Sequence, residues 1–104
     1  MNPRYTKGVR FERTLMAAAK RLGCEATRSA GSHGKWDVVV HCPDMIHHRQ
    51  WAAQFRWLTL LPTDPYFDWR CEWPHGRDKK VCYIKVIHDS QGEWVYLIQC
   101  KVKA

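Results

Sequence analysis

The sequence predicts an α/β fold in which an N-terminal helix packs on a mixed β-sheet that ends in a C-terminal β-hairpin. Three observations support this fold: apolar residues recur at helical spacing early in the chain, a run of valines follows, and two strand-like segments flank a turn near the end. A chain of 104 residues that is 45% hydrophobic and holds six tryptophans is typical of one folded domain, here 1–104.

Residues 6–22 are predicted to form the helix. Its apolar positions repeat every three or four residues: Phe11, Leu15, Ala19 and Leu22. Thr6 is a candidate N-cap, and Gly23 stands where a C-terminal glycine cap belongs. Glu12 falls on the apolar side of the helix, where a carboxylate is costly unless it pairs with a basic side chain or binds a cation. The sequence leaves both alternatives open.

The predicted strands come after the helix: 24–28, 36–41, 81–88 and 93–102. A loop at 29–35 joins the first two, and a turn rich in polar residues and glycine joins the last two into a hairpin. Because side chains alternate along a strand, Gln99 and Lys101 are predicted on one face of the last strand and Cys100 on the other, more apolar face.

The middle of the chain differs from both ends. Residues 45–58 are predicted to be a second helix, because Trp51, Phe55 and Leu58 share a helical face. The proline-containing stretch 62–80 is predicted to be a loop with turns. Four tryptophans are interleaved here with arginines. They would either stack on unpaired bases or fill the core or a dimer interface, and we favour the second interpretation because aromatic residues dominate cores and interfaces.

Net charge and cysteine content indicate which kinds of partner and which cellular compartment to expect. A net charge of +7 and a pI of about 9.4 favour a polyanionic partner, nucleic acid first, over a basic protein that binds none. The chain has no apolar run of membrane-spanning length and no secretory leader, so we expect no membrane partner and a cytoplasmic location. Five cysteines cannot all pair, and Cys82 and Cys100 are expected to be reduced core residues.

The region 42–82 offers a separate metal hypothesis, because it holds six residues of the types that bind zinc: Cys42, His47, His48, Cys71, His75 and Cys82. Their spacing lacks the paired CxxC knuckles of common structural zinc sites. A basic interaction protein with a zinc clip is therefore one alternative function.

The most informative pattern joins two distant segments. The basic, glycine-containing stretch 28–37 delivers Asp37 to the start of an apolar strand, while Gln99 and Lys101 stand two residues apart near the end. A carboxylate, a second oxygen ligand and a lysine are the groups needed to hold a hard divalent cation beside a phosphodiester. The sequence therefore predicts a phosphodiester-hydrolysing site built from these two segments.

Three segments resemble those of the archaeal-type Holliday junction resolvases, which belong to the PD-(D/E)xK nuclease superfamily: 7–13, 28–37 and 99–101. The more specific features are the glycine four residues before Glu12 and the Arg-Ser-x-Gly-Ser loop before Asp37. The resemblance implies a restriction-endonuclease-like core in which 42–80 is an insertion. We hypothesise that 45–58 replaces the covering helix that follows the motif lysine in the family.

The resemblance also implies a Mg²⁺-dependent, structure-selective endodeoxyribonuclease that resolves four-way DNA junctions as a homodimer with one site per subunit. The implied catalytic residues are Glu12, Asp37, Lys101 and Gln99, which stands where the family more often has Glu. The implied ligands of Mg²⁺, or of Mn²⁺ in its place, are Asp37, Gln99, the Cys100 carbonyl and Glu12. The implied DNA contacts are Lys7, Arg10, Arg13, Arg28, Ser32, Lys35 and Lys103. A non-catalytic DNA-binding remnant of such a nuclease is the alternative.

Overall fold

The computed structural model describes residues 3–29, 35–77 and 79–100, with side chains from residue 9 onward. The elements in chain order are α1 Pro3–Arg21, β1 Glu25–Arg28, β2 Val38–Cys42, α2 Met45–Ala52, β3 Arg56–Leu60, β4 Trp69–Trp73, β5 Lys80–His88 and β6 Trp94–Gln99. The α/β class, the N-terminal helix and the hairpin of β5 and β6 are confirmed. Neither α1 nor α2, the helices of the described residues, is long and apolar enough to cross a membrane.

All six strands form one sheet, in the order β1-β2-β6-β5-β4-β3. Every neighbouring pair is antiparallel, so the prediction of a mixed sheet is wrong. Two consecutive strands can lie side by side in parallel only if the connection between them crosses back over the sheet. Here α2 leads from β2 to the far edge of the sheet, and β6 later pairs with β2 in the place that a parallel neighbour would take.

Helix α1 begins at Pro3, three residues before the predicted start, because proline is well suited to a first helical turn. It ends with the predicted glycine cap. Gly23 has a φ of +85°, its N–H donates to the Lys20 carbonyl at 3.1 Å, and the Cys24 N–H donates to the Ala19 carbonyl at 3.0 Å. These two bonds satisfy carbonyls that the helix end would otherwise leave unpaired.

One face of the sheet is covered and forms the core. Alternate strand residues are buried on it: Val38, Val40, Cys42, Cys71, Trp73, Cys82, Ile84, Tyr96 and Ile98. Helix α1 packs on this face through four buried residues, Phe11, Leu15, Ala18 and Ala19. Trp51 of α2 joins the same cluster, so both helices lie on one side. The intervening strand residues on the opposite face, such as Leu97 and Tyr83, are half-buried.

Two predictions for the middle of the chain are wrong. Helix α2 ends at Ala52 and residues 56–60 form β3, so 45–58 is not one helix. Trp51 and Phe55 do contact each other, with ring centroids 5.1 Å apart, because a tight turn after α2 preserves the spacing of four. The predicted loop 62–80 contains β4 and the start of β5. Pairing with β5 makes β4 a strand, and its alternation of apolar and charged residues fits that pairing.

The tryptophans of this region fill the core, as we favoured from the sequence. Trp51 is fully buried and Trp73 is 4% exposed, and Phe55 packs between them with its ring 5.2 Å from that of Trp73. Trp57 and Trp69 are partly buried against the same cluster, with ring centroids 5.5 Å apart. The segment after β2 therefore covers the sheet through Trp51 and Phe55, and it also adds the strands β3 and β4 at one edge of the sheet.

All five cysteines are free and buried, including Cys82 and Cys100, as predicted. Burial raises the pKa of the Cys82 thiol to about 12. Since the thiolate is the reactive form, roughly 10⁻⁴ of that thiol is ionised at pH 8. We expect the native protein to react slowly with a chromogenic disulfide reagent at pH 8 and to release five equivalents only after denaturation. A fast-reacting equivalent in the native state would contradict the burial of these side chains.

Candidate active site

Asp37 is fixed at the point where β2 begins and β6 ends. Its backbone N–H donates to the Ile98 carbonyl at 2.8 Å, and its own carbonyl accepts the Ser29 N–H at 2.9 Å. Its carboxylate oxygen Oδ2 accepts the backbone N–H of Cys100 at 2.8 Å. The pairing of Val38 with Ile98 sets this position, because the same register brings Asp37 alongside Gln99. The two segments singled out in the sequence therefore meet.

The side chain of Gln99 lies on the uncovered face of the sheet. Gln99 is paired with Tyr83 of β5 and is half-buried, whereas its neighbours Ile98 and Cys100 are buried on the face that α1 covers. The predicted alternation is thus confirmed for Gln99 and Cys100, while Lys101 lies outside the described residues. The alternation also places Gln99 and Glu12 on opposite faces, so the two can approach one ion only around the end of the sheet beside Asp37.

Glu12 forms a salt bridge, one of the two alternatives that its sequence position left open. Its Oε1 lies 2.7 Å from Nε of Arg28, and the Glu12 side chain is only 14% exposed. Arg28 closes β1 opposite Val38, on the covered side of the sheet, so the pair spans α1 and β1. The ion pair offsets the cost of placing a carboxylate against the core. Arg28, assigned to DNA by the resemblance, engages Glu12 in this structure.

The carboxylates of Asp37 and Glu12 both affect the pKa of the Cys100 thiol. Its pKa is raised first by burial and then by electrostatic interaction with Cys82, Asp37 and Glu12. Two carboxylates from different elements, Asp37 before β2 and Glu12 on α1, therefore act electrostatically on one buried sulfur at the end of β6.

The oxygen donors near Cys100 are of the kind that suits Mg²⁺. Asp37 uses Oδ2 for the Cys100 N–H, which leaves Oδ1, and Glu12 uses Oε1 for Arg28, which leaves Oε2. Mg²⁺ takes one or two carboxylates and keeps several waters, so a sparse set of this type fits the ion. Across 9–29, 35–77 and 79–100, no three His, Cys, Asp or Glu side chains are grouped closely enough to ligate a metal by themselves.

The remaining residues implied by the resemblance fall into two groups. Lys101, Lys103, Ser32 and the side chain of Lys7 lie outside the described residues. Arg10, Arg13 and Lys35 are exposed. The Lys35 ammonium lies 5.0 Å above the ring of Tyr66, where a cation–π contact holds it toward the loop before β4.

The zinc hypothesis finds no support in the geometry. Its six residues make separate contacts. Among the cysteines, Cys42 contacts Cys24, and Cys71 is paired with Cys82 on the neighbouring strand. Among the histidines, His47 contacts Asp44, His48 contacts Tyr96, and His75 contacts the Gln54 carbonyl. No three of these side chains are grouped closely enough to hold a metal ion, so the six do not form one tetrahedral site.

A basic groove runs between α1 and a wall formed by residues 73–77 and Lys80, and the sequence did not reveal it. One cavity of about 250 Å³ is lined by Arg10 of α1 and by Arg77 and Lys80. An adjoining cavity of about 440 Å³ shares four lining residues with it and extends to Arg21. The available signals were the basic run at 77–80 and the placement of Arg10 and Arg21 eleven residues apart on one helix face.

No protein-family model matches this chain, no curated protein matches it, and no solved structure matches it.

Proposed function

We propose that the chain is a Mg²⁺-dependent, structure-selective endodeoxyribonuclease with a restriction-endonuclease-like core, which resolves four-way DNA junctions. The observation that carries the proposal is the bond from the Cys100 N–H to Asp37 Oδ2, 2.8 Å long. It joins two segments that stand 63 positions apart in the chain. These are the two segments in which the sequence concentrates the carboxylate, the amide and the lysine that phosphodiester hydrolysis needs.

In this proposal, Asp37 and Glu12 supply carboxylate oxygens and Cys100 supplies its carbonyl. Bound Mg²⁺ would lower the pKa of a water and neutralise the charge that develops on the phosphate. The bond from Cys100 fixes the orientation of the Asp37 carboxylate before substrate arrives, so little reorganisation is needed. Lys101, which follows Cys100 directly, is assigned the role of orienting the attacking water or stabilising the pentacovalent phosphate.

DNA would be recognised by shape through its phosphates, because phosphate contacts position a protein without reading bases. The net charge of +7 favours such a substrate. A homodimer with one site per subunit would place two cuts across a junction, as the resemblance implies.

A non-catalytic DNA-binding protein is the second candidate. Two observations favour it: the pairing of Glu12 with Arg28, and the placement of Gln99 on the face opposite α1. Both leave fewer groups directed at one ion than a turnover-competent site would hold.

Incubation with a labelled four-way junction, with Mg²⁺ and separately with EDTA, tests the proposal. We expect cleavage with Mg²⁺ only, and binding in both conditions. Binding without cleavage would favour the second candidate, and the absence of both would contradict the two together. The metal is added to purified protein and cleavage is followed on denaturing gels, so that nicks and paired cuts are distinguished.

A further inference from the structure

We infer that the groove between α1 and residues 73–77 with Lys80 binds the sugar–phosphate backbone of a nucleic-acid strand. This groove is separate from the Asp37 site. The inference rests on the proposed function only for the choice of DNA as the polyanion, since the groove would hold DNA equally in a protein that does not cut it.

The positive charge of the groove favours a polyanionic ligand. Four cationic side chains of the described residues line it from two sides: Arg10 and Arg21 on α1, and Arg77 and Lys80 on the opposite wall. None of the described residues that line the two cavities is acidic. Guanidinium groups bind phosphate through paired N–H donors, so three arginines in one groove match a chain of phosphates better than isolated carboxylates.

The wall opposite α1 is held in place before any ligand binds. His75 Nε2 lies 2.9 Å from the Gln54 carbonyl, and the His75 ring meets the ring of Trp73 edge-on, with centroids 4.7 Å apart. Trp73 is 4% exposed, so it forms the floor of the groove and cannot offer a free face to a base. An apolar floor between cationic rims suits a backbone whose charges lie along its edges rather than a stacked base.

The length of the groove fits several phosphates. Arg10, Thr14 and Arg21 lie along one face of α1, and eleven residues of helix span roughly 16 Å. Even where the backbone runs obliquely to the duplex axis, along which phosphates of one strand repeat about every 3.4 Å, more than one phosphate would lie along this face. The exposed Arg10 and Arg21 mark the two ends, and the exposed Arg77 faces them from the other rim.

The test uses the full chain and measures binding to a labelled DNA duplex in EDTA, where cleavage cannot interfere. The variant R21Q/R77Q removes two groove charges that the resemblance does not assign to DNA. The matched control K20Q/R49Q removes two exposed charges outside the groove, one of them adjacent to Arg21. We expect the slope of log K against log salt to fall by about two units in the groove variant and by much less in the control.

A second variant separates shape from charge. T14W fills the groove from an exposed position of α1 without changing the charge, and T59W places the same side chain on the exposed edge strand β3. We expect T14W to weaken binding and T59W to bind as the parent does, with thermal melting confirming that both fold. Four results would each overturn the inference. The first two are an equal fall of the salt slope in R21Q/R77Q and K20Q/R49Q, and binding of DNA by T14W as tight as by the parent. The other two are competition for the groove by polyglutamate as strong as by DNA, and no DNA binding by the parent.

Discussion

The substitution Asp37→Asn is expected to abolish Mg²⁺-dependent cleavage of a four-way junction while junction binding persists. Asparagine keeps the size of the side chain, and its amide oxygen can accept the Cys100 N–H that now bonds Asp37 Oδ2 at 2.8 Å. The fold at the end of β6 is therefore retained. The negative charge that would attract the cation is lost, and a loss of several kcal/mol of transition-state stabilisation corresponds to a rate at least about 10³-fold lower.

The cleavage rate is measured under single-turnover conditions, and junction binding is measured by gel shift on the same protein preparation. The control is Glu25→Gln, which removes a carboxylate from an exposed position of β1 and should cut like the parent. Normal cutting by the Asp37→Asn variant would show that the assignment of the site is wrong. Loss of binding together with cutting would point instead to a structural role for the Asp37–Cys100 bond.

The substitution Trp51→Ala should produce the largest loss of stability. Trp51 is 0% exposed and contacts Phe55, Trp73 and Tyr96, so truncation opens a cavity where α2 joins the sheet. Such a change in a core costs about 3–5 kcal/mol. Domains of this size are stable by about 5–15 kcal/mol, so the variant is expected to lose a large fraction of its free energy of unfolding. Urea unfolding followed by circular dichroism measures the difference.

Trp51→Phe provides the control, because it keeps an aromatic ring in the cluster. In the described structure the indole N–H of Trp51 is buried without a hydrogen-bond partner, so removing that group also removes a desolvated donor. We expect the phenylalanine variant to lose less than about 1.5 kcal/mol. A loss below about 1 kcal/mol for Trp51→Ala would mean that the segment after β2 does not cover the sheet.

Local patterns predicted the parts of the fold whose causes are local. The helical repeat of α1 and the Gly23 cap were visible in the sequence, because each depends on residues a few positions apart. Strands β3 and β4 were missed because a strand is stabilised by its partners, and the prolines between these strands favoured a loop in the sequence. The sheet was predicted as mixed because nothing local reveals that β6 lies between β2 and β5.

The candidate site divides in the same way. The resemblance pointed to Asp37 and to Gln99–Cys100, and the register of β2 against β6 brings them together. The sequence could not choose between a salt bridge and a cation at Glu12, because the choice depends on where β1 places Arg28. The groove escaped notice because Arg77 and Lys80 reach α1 only after β4 and β5 have paired.

The central place of β6 affects how the chain acquires its structure during synthesis. β1–β2 and β3–β4–β5 leave the ribosome first, yet they share no ladder until β6 arrives between them. The hydrophobic surface that the finished sheet conceals therefore stays accessible to chaperones, and to other nascent chains, until Gln99 has emerged. Closing contacts over such long separations is slow, so the pairing of β6 with β2 is expected to be a late step in folding.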